Sequence, residues 1–244
     1  MISVCMATRN GEKYITRQLD SILSQLGPND EVIISDDAST DATIELISAR
    51  RDPRITLFPN PTPLGITAGF ENALTRARGE YIFLADQDDV WKENKVRISL
   101  HALTTCDVVV SDCLVVDQDL KLIAPSFFEI NRSRSGFFRN LRHNAYIGSC
   151  MAFRRSLLTR ALPFPKHIPM HDLWLGFVAE LFCSTRFIPL ALILYRRHNS
   201  NASSTAQPSR HRLRTKIMFR FNLLRYIPLL LTRKTNNQTP PPSI

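Results

Sequence analysis

Hydrophobic positions along the first ninety residues switch repeatedly between two periods. Residues 2–7 form a short apolar run closed by TRNGE, the pattern of a buried strand followed by a turn. Tyr14, Ile15, Leu19, Ile22, Leu23 and Leu26 then recur at helical spacing until Gly27-Pro28 stops them. EVIIS reads as the next strand and ends at Asp36-Asp37. STDATIELISARR reads as a helix, with Ser39 or Thr40 as its cap and Asp41 in its first turn. RITLF predicts a third strand, ITAGFENALTRA a third helix and GEYIFLAD a fourth strand. Strands alternating with helices predict a doubly wound α/β fold, a mostly parallel sheet covered on both faces. Ligands of such sheets bind beyond the carboxyl ends of the strands. Thr8-Arg9, Asp36-Asp37 and the run Asp86-Gln87-Asp88-Asp89 all fall at that edge.

Beyond Trp91 the periods are less regular. KENKVRISLHAL reads as helix, CDVVVSDCLVVD as one strand or a bent pair, and residues 124–145 as irregular and basic. CMAFRRSLL predicts a strand leading into a helix. HDLWLGFVAELF predicts a helix that begins at His171-Asp172, and RFIPLALILYRRH strand segments interrupted by Pro189. From about Pro208 basic and apolar residues mix, which predicts a basic amphipathic helical extension. This divides the chain into a domain over residues 1–205 and an extension over 206–244.

Composition changes the picture in two places. The chain has 244 residues, 44% of them hydrophobic, enough for one substantial domain with a large core. Its net charge of +9 is not evenly spread: after Glu180 there is no Asp or Glu but eleven Lys and Arg, against 20 basic and 22 acidic residues before it. The basic excess therefore belongs to the last quarter, and points to an anionic surface or ligand met there. No nucleic-acid recognition motif accompanies it, so nucleic acid is not the expected partner. Cys5, Cys106, Cys113, Cys150 and Cys183 form no C-x-x-C pair, which predicts buried, reduced thiols rather than zinc or disulfides. No secretory signal and no spanning apolar run are recognisable, so a cytoplasmic protein is expected.

Asp86-x-Asp88 at a strand end offers oxygen ligands to a hard cation, Mg²⁺ or Mn²⁺, of the kind that screens a nucleoside diphosphate as its bond breaks. Taken alone, such a run reads more readily as a solvated turn, with Asp89 capping the helix after Trp91. Its place beside a second acidic pair favours the functional reading. Asp36-Asp37 can cap a helix or bind a base or ribose. Neither G-x-G-x-x-G nor G-x-x-x-x-G-K-[ST] occurs, which argues against a dinucleotide oxidoreductase and a P-loop enzyme. A Mg²⁺-dependent phosphoacceptor or nucleotide-binding regulatory module is the rival, though it needs about half this length and leaves His171-Asp172 without a purpose.

The segments VCMATRNGEKYITRQLDSILSQ, VIISDDASTDAT, NPTPLGITAGFENAL, GEYIFLADQDDVW, GSCMAFRRSLL, MHDLWLGFVA and ILYRRHNSNAS occur in the order seen in family 2 glycosyltransferases of GT-A fold. Over roughly residues 1–205 the chain resembles bacterial members that build O-antigen, capsule or exopolysaccharide, including rhamnosyltransferase-like proteins. The resemblance implies an inverting transfer from a UDP- or dTDP-sugar to a lipid-linked saccharide, at the inner face of the cell membrane. It implies that Thr8, Arg9, Asp36 and Asp37 line the nucleoside pocket, with Asp36 as the contact to the base. Asp86, Gln87 and Asp88 would serve the donor diphosphate, Asp86 and Asp88 through the metal. Asp172 would be the catalytic base. Arg196, Arg197 and His198 stand where the family carries a basic element that meets the diphosphate. YRRHNSN has no Trp, so transfer of a single sugar is expected. Asp89, Trp91, His171 and Trp174 follow or flank these residues and are candidates for contacts to the donor sugar or acceptor.

Overall fold

The computed structural model describes residues 1–198 and 213–233, with side chains from residue 218 onward in the second stretch. Its first part follows the apolar pattern closely. Strands β1 (Ile2–Thr8), β2 (Glu31–Asp36), β3 (Ile55–Pro59) and β4 (Tyr81–Asp86) lie parallel in the order β3-β2-β1-β4. Helices α1 (Ile15–Leu23), α2 (Thr43–Ser48) and α3 (Ile66–Arg76) connect them. Val4, Met6, Ile34, Phe83 and Leu84 are fully buried, as continuous apolar runs in a sheet covered on both faces require. Helix α2 starts later than its pattern suggests. Asp41 accepts from the Thr43 amide and hydroxyl, and Asp36 from the Ser39 amide, so residues 39–42 stay in a polar turn.

The second part departs from the expected mostly parallel sheet. It contains β5 (Val90–Trp91), α4 (Lys95–Leu103), β6 (Val108–Val116), β7 (Leu122–Ala124), α5 (Phe127–Asn131), α6 (Phe137–Arg142), β8 (Met151–Arg154), α7 (Ser156–Ala161), α8 (His171–Phe182) and β9 (Thr185–Arg196). The sheet continues β4-β8-β6-β9-β5, with β7 paired to β6. Only β6–β9 is parallel here, while β4–β8, β6–β8, β5–β9 and β6–β7 are antiparallel. The doubly wound reading thus holds for the first four strands and fails beyond them. A strand buried on both faces reads as an apolar run whichever way it points, so periodicity carries no direction.

Pro189 does not break β9. The register slips from Ser111 opposite Ile188 to Asp112 opposite Ala191, and the slip absorbs a residue with no amide hydrogen to give. The segment expected to be irregular instead contains α5 and α6, both held by polar anchors. The Ser126 hydroxyl accepts from the Glu129 amide, and Glu180 of α8 accepts from Gly136 N, Asn140 Nδ2 and Tyr146 Oη.

Helices α9 (Leu213–Leu224) and α10 (Ile227–Thr232) follow. Leu223 and Leu230 are buried, and Tyr226 packs edge-on against Trp174. Arg160 and Arg233 exchange hydrogen bonds with each other's backbone. Met218, Phe221, Leu229 and Leu231 remain exposed, so the apolar residues divide between a packed side and an open one. Arg210, Arg212 and Lys234 lie outside the described residues, as do the side chains of Arg214 and Lys216. All five cysteines are free; four are buried and Cys183 is partly open. Among the described residues no helix is long and apolar enough to cross a membrane.

Candidate active site

The carboxyl ends of β1, β2 and β4 and the start of α8 surround one cleft of about 1030 Å³. Such a volume accommodates a nucleotide-sized ligand with a sugar attached. Thr8, Arg9, Asp37, Asp86, Gln87, Asp88, His171, Asp172 and His198 all line it. Residues far apart in the chain thus meet because three strand ends and one helix start share a sheet edge.

The acidic pair after β2 divides its work. Asp36 is fully buried and accepts from the Thr8 hydroxyl (2.8 Å), the Ser39 amide (2.8 Å) and the Ser39 hydroxyl (2.6 Å). It ties two loops together and does not line the cleft, so the expected contact from Asp36 to a base is corrected. Asp37 lines the cleft. Its carboxylate accepts from Leu64 N (2.5 Å) and Gly65 N (3.1 Å) and lies 3.5 Å from Arg9 Nη1. Gly65, with φ of 86°, occupies backbone space that a side chain would strain.

Gln87 also has a different task from the expected one. Its Oε1 accepts from Arg9 N and its Nε2 donates to Arg9 O, both at 2.8 Å. Both ends of the amide are thereby spent on pinning the loop after β1. A Cβ on Gly11 would meet Gln87 Oε1 at 2.4 Å, which is why the pin fits only against glycine.

At the end of β4 the three carboxylates separate. Burial, then the charges of Asp88 and Asp172, push Asp86 up to about 8, with Ser149 acting in the opposite direction. Asp88 Oδ2 lies 2.8 Å from His198 Nε2, and the His198 ring stacks on Tyr14 at 5.1 Å. Asp89 is buried, and its Oδ1 accepts from Arg196 N. Burial first, then Asp88 and Asp86, raise it well above the usual carboxylate range. It does not cap the following helix, whose N-cap is Asn94, and it does not line the cleft.

The basic element turns inward rather than toward the cleft. Arg196 is only 4% exposed. Its Nε donates to Asp88 O (2.6 Å), and its guanidinium lies 4.5 Å from the centre of the Tyr14 ring. Arg196 braces the acidic loop from behind, and Arg197 stacks over Tyr195 at 5.9 Å outside the cleft lining. Of the three expected basic contacts, His198 alone reaches the cleft wall.

Both tryptophans belong to the core. Trp91 packs against Phe83 at 5.6 Å, and fully buried Trp174 donates from Nε1 to Ala161 O. Neither lines the cleft, so the expected sugar contacts are corrected. Large aromatic rings beside a functional motif are more often its foundation than its surface.

Asp172 stands in the first turn of the twelve-residue helix α8 and faces the Asp86–Asp88 side of the cleft. Its Oδ1 accepts from Leu173 N (2.7 Å) and its Oδ2 from Gly148 N (3.3 Å). Burial raises it to about 6 despite those hydrogen bonds, so the carboxyl changes charge close to neutrality. His171 stacks on Phe70 with ring centroids 3.8 Å apart, and neither ring nitrogen has a hydrogen-bond partner. Burial lowers it to about 3, which makes it a neutral imidazole at physiological pH.

Several lining residues escaped the sequence reading. Tyr14 counted as an apolar helical position, yet it precedes α1 and lies between Arg196 and His198. Lys13, Gly148 and Tyr195 line the cleft from segments that carry the family resemblance but had no role of their own there, and Gln118 from a loop outside those segments.

Asp86 and Asp88 fit a divalent cation of the hard type. Both line one cleft, and Asp86, raised first by burial and then by the charges of Asp88 and Asp172, is a carboxylate that a bound cation would favour in its charged form. Among the described residues no group of three or more His, Cys, Asp or Glu forms a metal cage. The set therefore suits a cation that completes its shell with water and ligand phosphates.

The mixed α/β sheet with acidic strand ends around a nucleotide-sized cleft fits the class that the family comparison shows, a glycosyltransferase of GT-A fold. The description "Glycosyl transferase family 2" matches residues 3–161, and the chain belongs to that family. It is 35% identical over 105 residues to the UDP-Glc:alpha-D-GlcNAc-diphosphoundecaprenol beta-1,3-glucosyltransferase WfaP of Escherichia coli, covering 43% of this chain and 42% of that protein. It is 31% identical over 191 residues to the putative colanic acid biosynthesis glycosyl transferase WcaA of Escherichia coli K12, covering 74% of this chain and 67% of that one. The chain thus spans less than half of the first relative and about two thirds of the second. Among solved structures, S. aureus TarS 1-349 in complex with UDP-GlcNAc superposes with a TM-score of 0.68 at 20% identity, over 93% of this chain and 72% of that one. That likeness is one of fold.

Proposed function

We propose that the protein transfers a single sugar, with inversion, from a nucleoside-diphosphate sugar to a hydroxyl of a lipid-linked saccharide in bacterial surface polysaccharide assembly. The observation that carries the reading is Asp172, a carboxylate raised to about 6, set across one cleft from Asp86 and Asp88. Asp172 accepts the acceptor proton as the hydroxyl attacks the anomeric carbon from the face opposite the leaving group. Asp86 and Asp88 would hold Mg²⁺ or Mn²⁺, which when bound would supply positive charge for the departing diphosphate. No protein acid is then required on that side. Asp37 and Arg9, joined across the cleft wall, are the contacts offered to the nucleoside.

The specificity of WfaP, a UDP-glucose donor with a diphosphoundecaprenol-linked acceptor, favours a UDP-sugar donor and an acceptor joined to a lipid diphosphate. The exposed Phe221, Leu229 and Leu231, with a C-terminal quarter that is basic and lacks acids, suit the surface of an anionic membrane. A site at the cytoplasmic face of the cell membrane follows from that acceptor. The phosphoacceptor alternative accounts for none of the chemistry at Asp172.

The test is release of nucleoside diphosphate from a panel of UDP- and dTDP-sugars. Release should require the divalent cation and be abolished by Asp88→Ala. Asp172→Asn should keep donor binding while lowering turnover about 10²-fold or more. Metal-independent release, or near-normal turnover in Asp172→Asn, overturns the assignment.

A further inference from the structure

We infer that Lys95, which lies outside the cleft, is a positioning residue: its ammonium grips the 148–150 turn that presents the Gly148 amide to Asp172. The inference rests on Asp172 acting as the base. Lys95 is fully buried, among the largest such side chains in the protein. A lysine is costly there, because desolvation penalises its charge and lowers it to about 8. Methionine or leucine would fill the same space without that cost, so the ammonium calls for an explanation beyond packing.

The partners of Lys95 supply one. Its Nζ donates to Ser149 O at 3.2 Å. The ammonium lies 5.0 Å from the Trp91 ring centre and 5.8 Å from that of Phe83, so two aromatic faces cushion the charge. Trp91, set aside as a sugar contact, thereby acquires a purpose. The turn that Lys95 holds forms a single 3-10 turn, Gly148–Cys150, with all three residues buried.

That turn touches both sides of the site. Gly148 N donates to Asp172 Oδ2. A Cβ on Gly148 would meet His171 Nε2 at 2.8 Å and Asp172 Cβ at 3.6 Å, so the turn lies directly against the start of α8. Ser149 Oγ has no hydrogen bond of ordinary geometry, yet it lies near enough to Asp86 and Asp89 to pull both downward. Lys95 approaches this turn from α4, behind the acidic strand end. Its removal would let the turn move and take the Gly148 amide away from the base. A misplacement of about 1 Å in such machinery can cost roughly 10²-fold in rate.

Lys95→Met keeps the length of the side chain and removes only the donor and the charge. With folding verified by thermal melting, we expect kcat to fall about 10- to 100-fold while the donor KM changes less than about twofold. Lys95→Gln retains a donor and should recover most of the loss. In an Asp172→Asn background Lys95→Met should have little further effect, because the two act through one group. Should methionine not fold, Lys95→Leu carries the same expectations. Unchanged kcat in Lys95→Met, no recovery in Lys95→Gln, or full additivity with Asp172→Asn overturns the inference. Near-normal turnover in Asp172→Asn alone would instead overturn the base assignment on which it rests.

Discussion

Burial is the first cause that raises both Asp86 and Asp172, and the charges of Asp88 and Asp172 raise Asp86 further. Two consequences follow at the scale of single residues. The acidic limb of the pH profile of kcat/KM should reflect Asp172 near pH 6, activity falling below it as the base takes up its proton. A limb near pH 4 would show that another group sets the rate. Stability should show the opposite trend. A carboxyl raised in the fold binds more protons folded than unfolded, so its contribution is complete below the unfolded value and is lost as pH rises through the folded one. For Asp86 that window runs from about 4 to about 8. His171, lowered to about 3, opposes it only below about 6.5. Melting of the protein in chelator should therefore drop between pH 6.5 and 8, and Asp86→Asn should flatten that drop. Added Mn²⁺ should raise the melting temperature at pH 8.

At the scale of elements, the site depends on pieces that periodicity does not announce. Helix α6 has no buried residue of its own, and its anchor is Glu180 of α8. Glu180→Ala would take this acceptor from Gly136 N and Tyr146 Oη, while Asn140 Nδ2 keeps Arg134 O and Gly136 O, at a cost of about 1–3 kcal/mol for each donor left buried and unpaired. The expected outcome is a loss of about 2 kcal/mol or more in denaturant unfolding. A change below about 0.5 kcal/mol would show that α6 is held otherwise. The regular elements were legible because apolar spacing sufficed for them: β1 to β4, α3 and α8 lie within a few residues of their expected bounds. The anchors of α5 and α6 were not, because a single polar residue on a distant helix leaves no local period.

At the scale of the whole molecule, the first four strands present their carboxyl ends to the cleft, and the antiparallel half carries α8 and Asp172 to the same cleft. The C-terminal helices join through buried Leu223 and Leu230 and through Tyr226 against Trp174, whose neighbours on α8 include the site. Removing residues 209–244 should therefore lower the melting temperature. If the open side of these helices meets a membrane, it should also move the protein from vesicles of anionic lipid to the soluble fraction. Lower stability with unchanged vesicle binding would leave the tail a structural element alone.

The sequence by itself determined the α/β class, the strand-edge location of the acidic motifs and the carboxylate at the start of α8. Each depends on local period and residue type, which are written along the chain. Only the tertiary structure decided the antiparallel direction of the later strands, because a buried apolar run looks the same either way. It also decided that Asp37 faces the cleft while Asp36 ties loops together, and that Arg196 and Trp91 brace the site from behind. Those outcomes depend on which groups satisfy one another across tens of residues. Lys95, the ammonium that holds the 148–150 turn, was visible only as one more polar position in a helix until folding buried it.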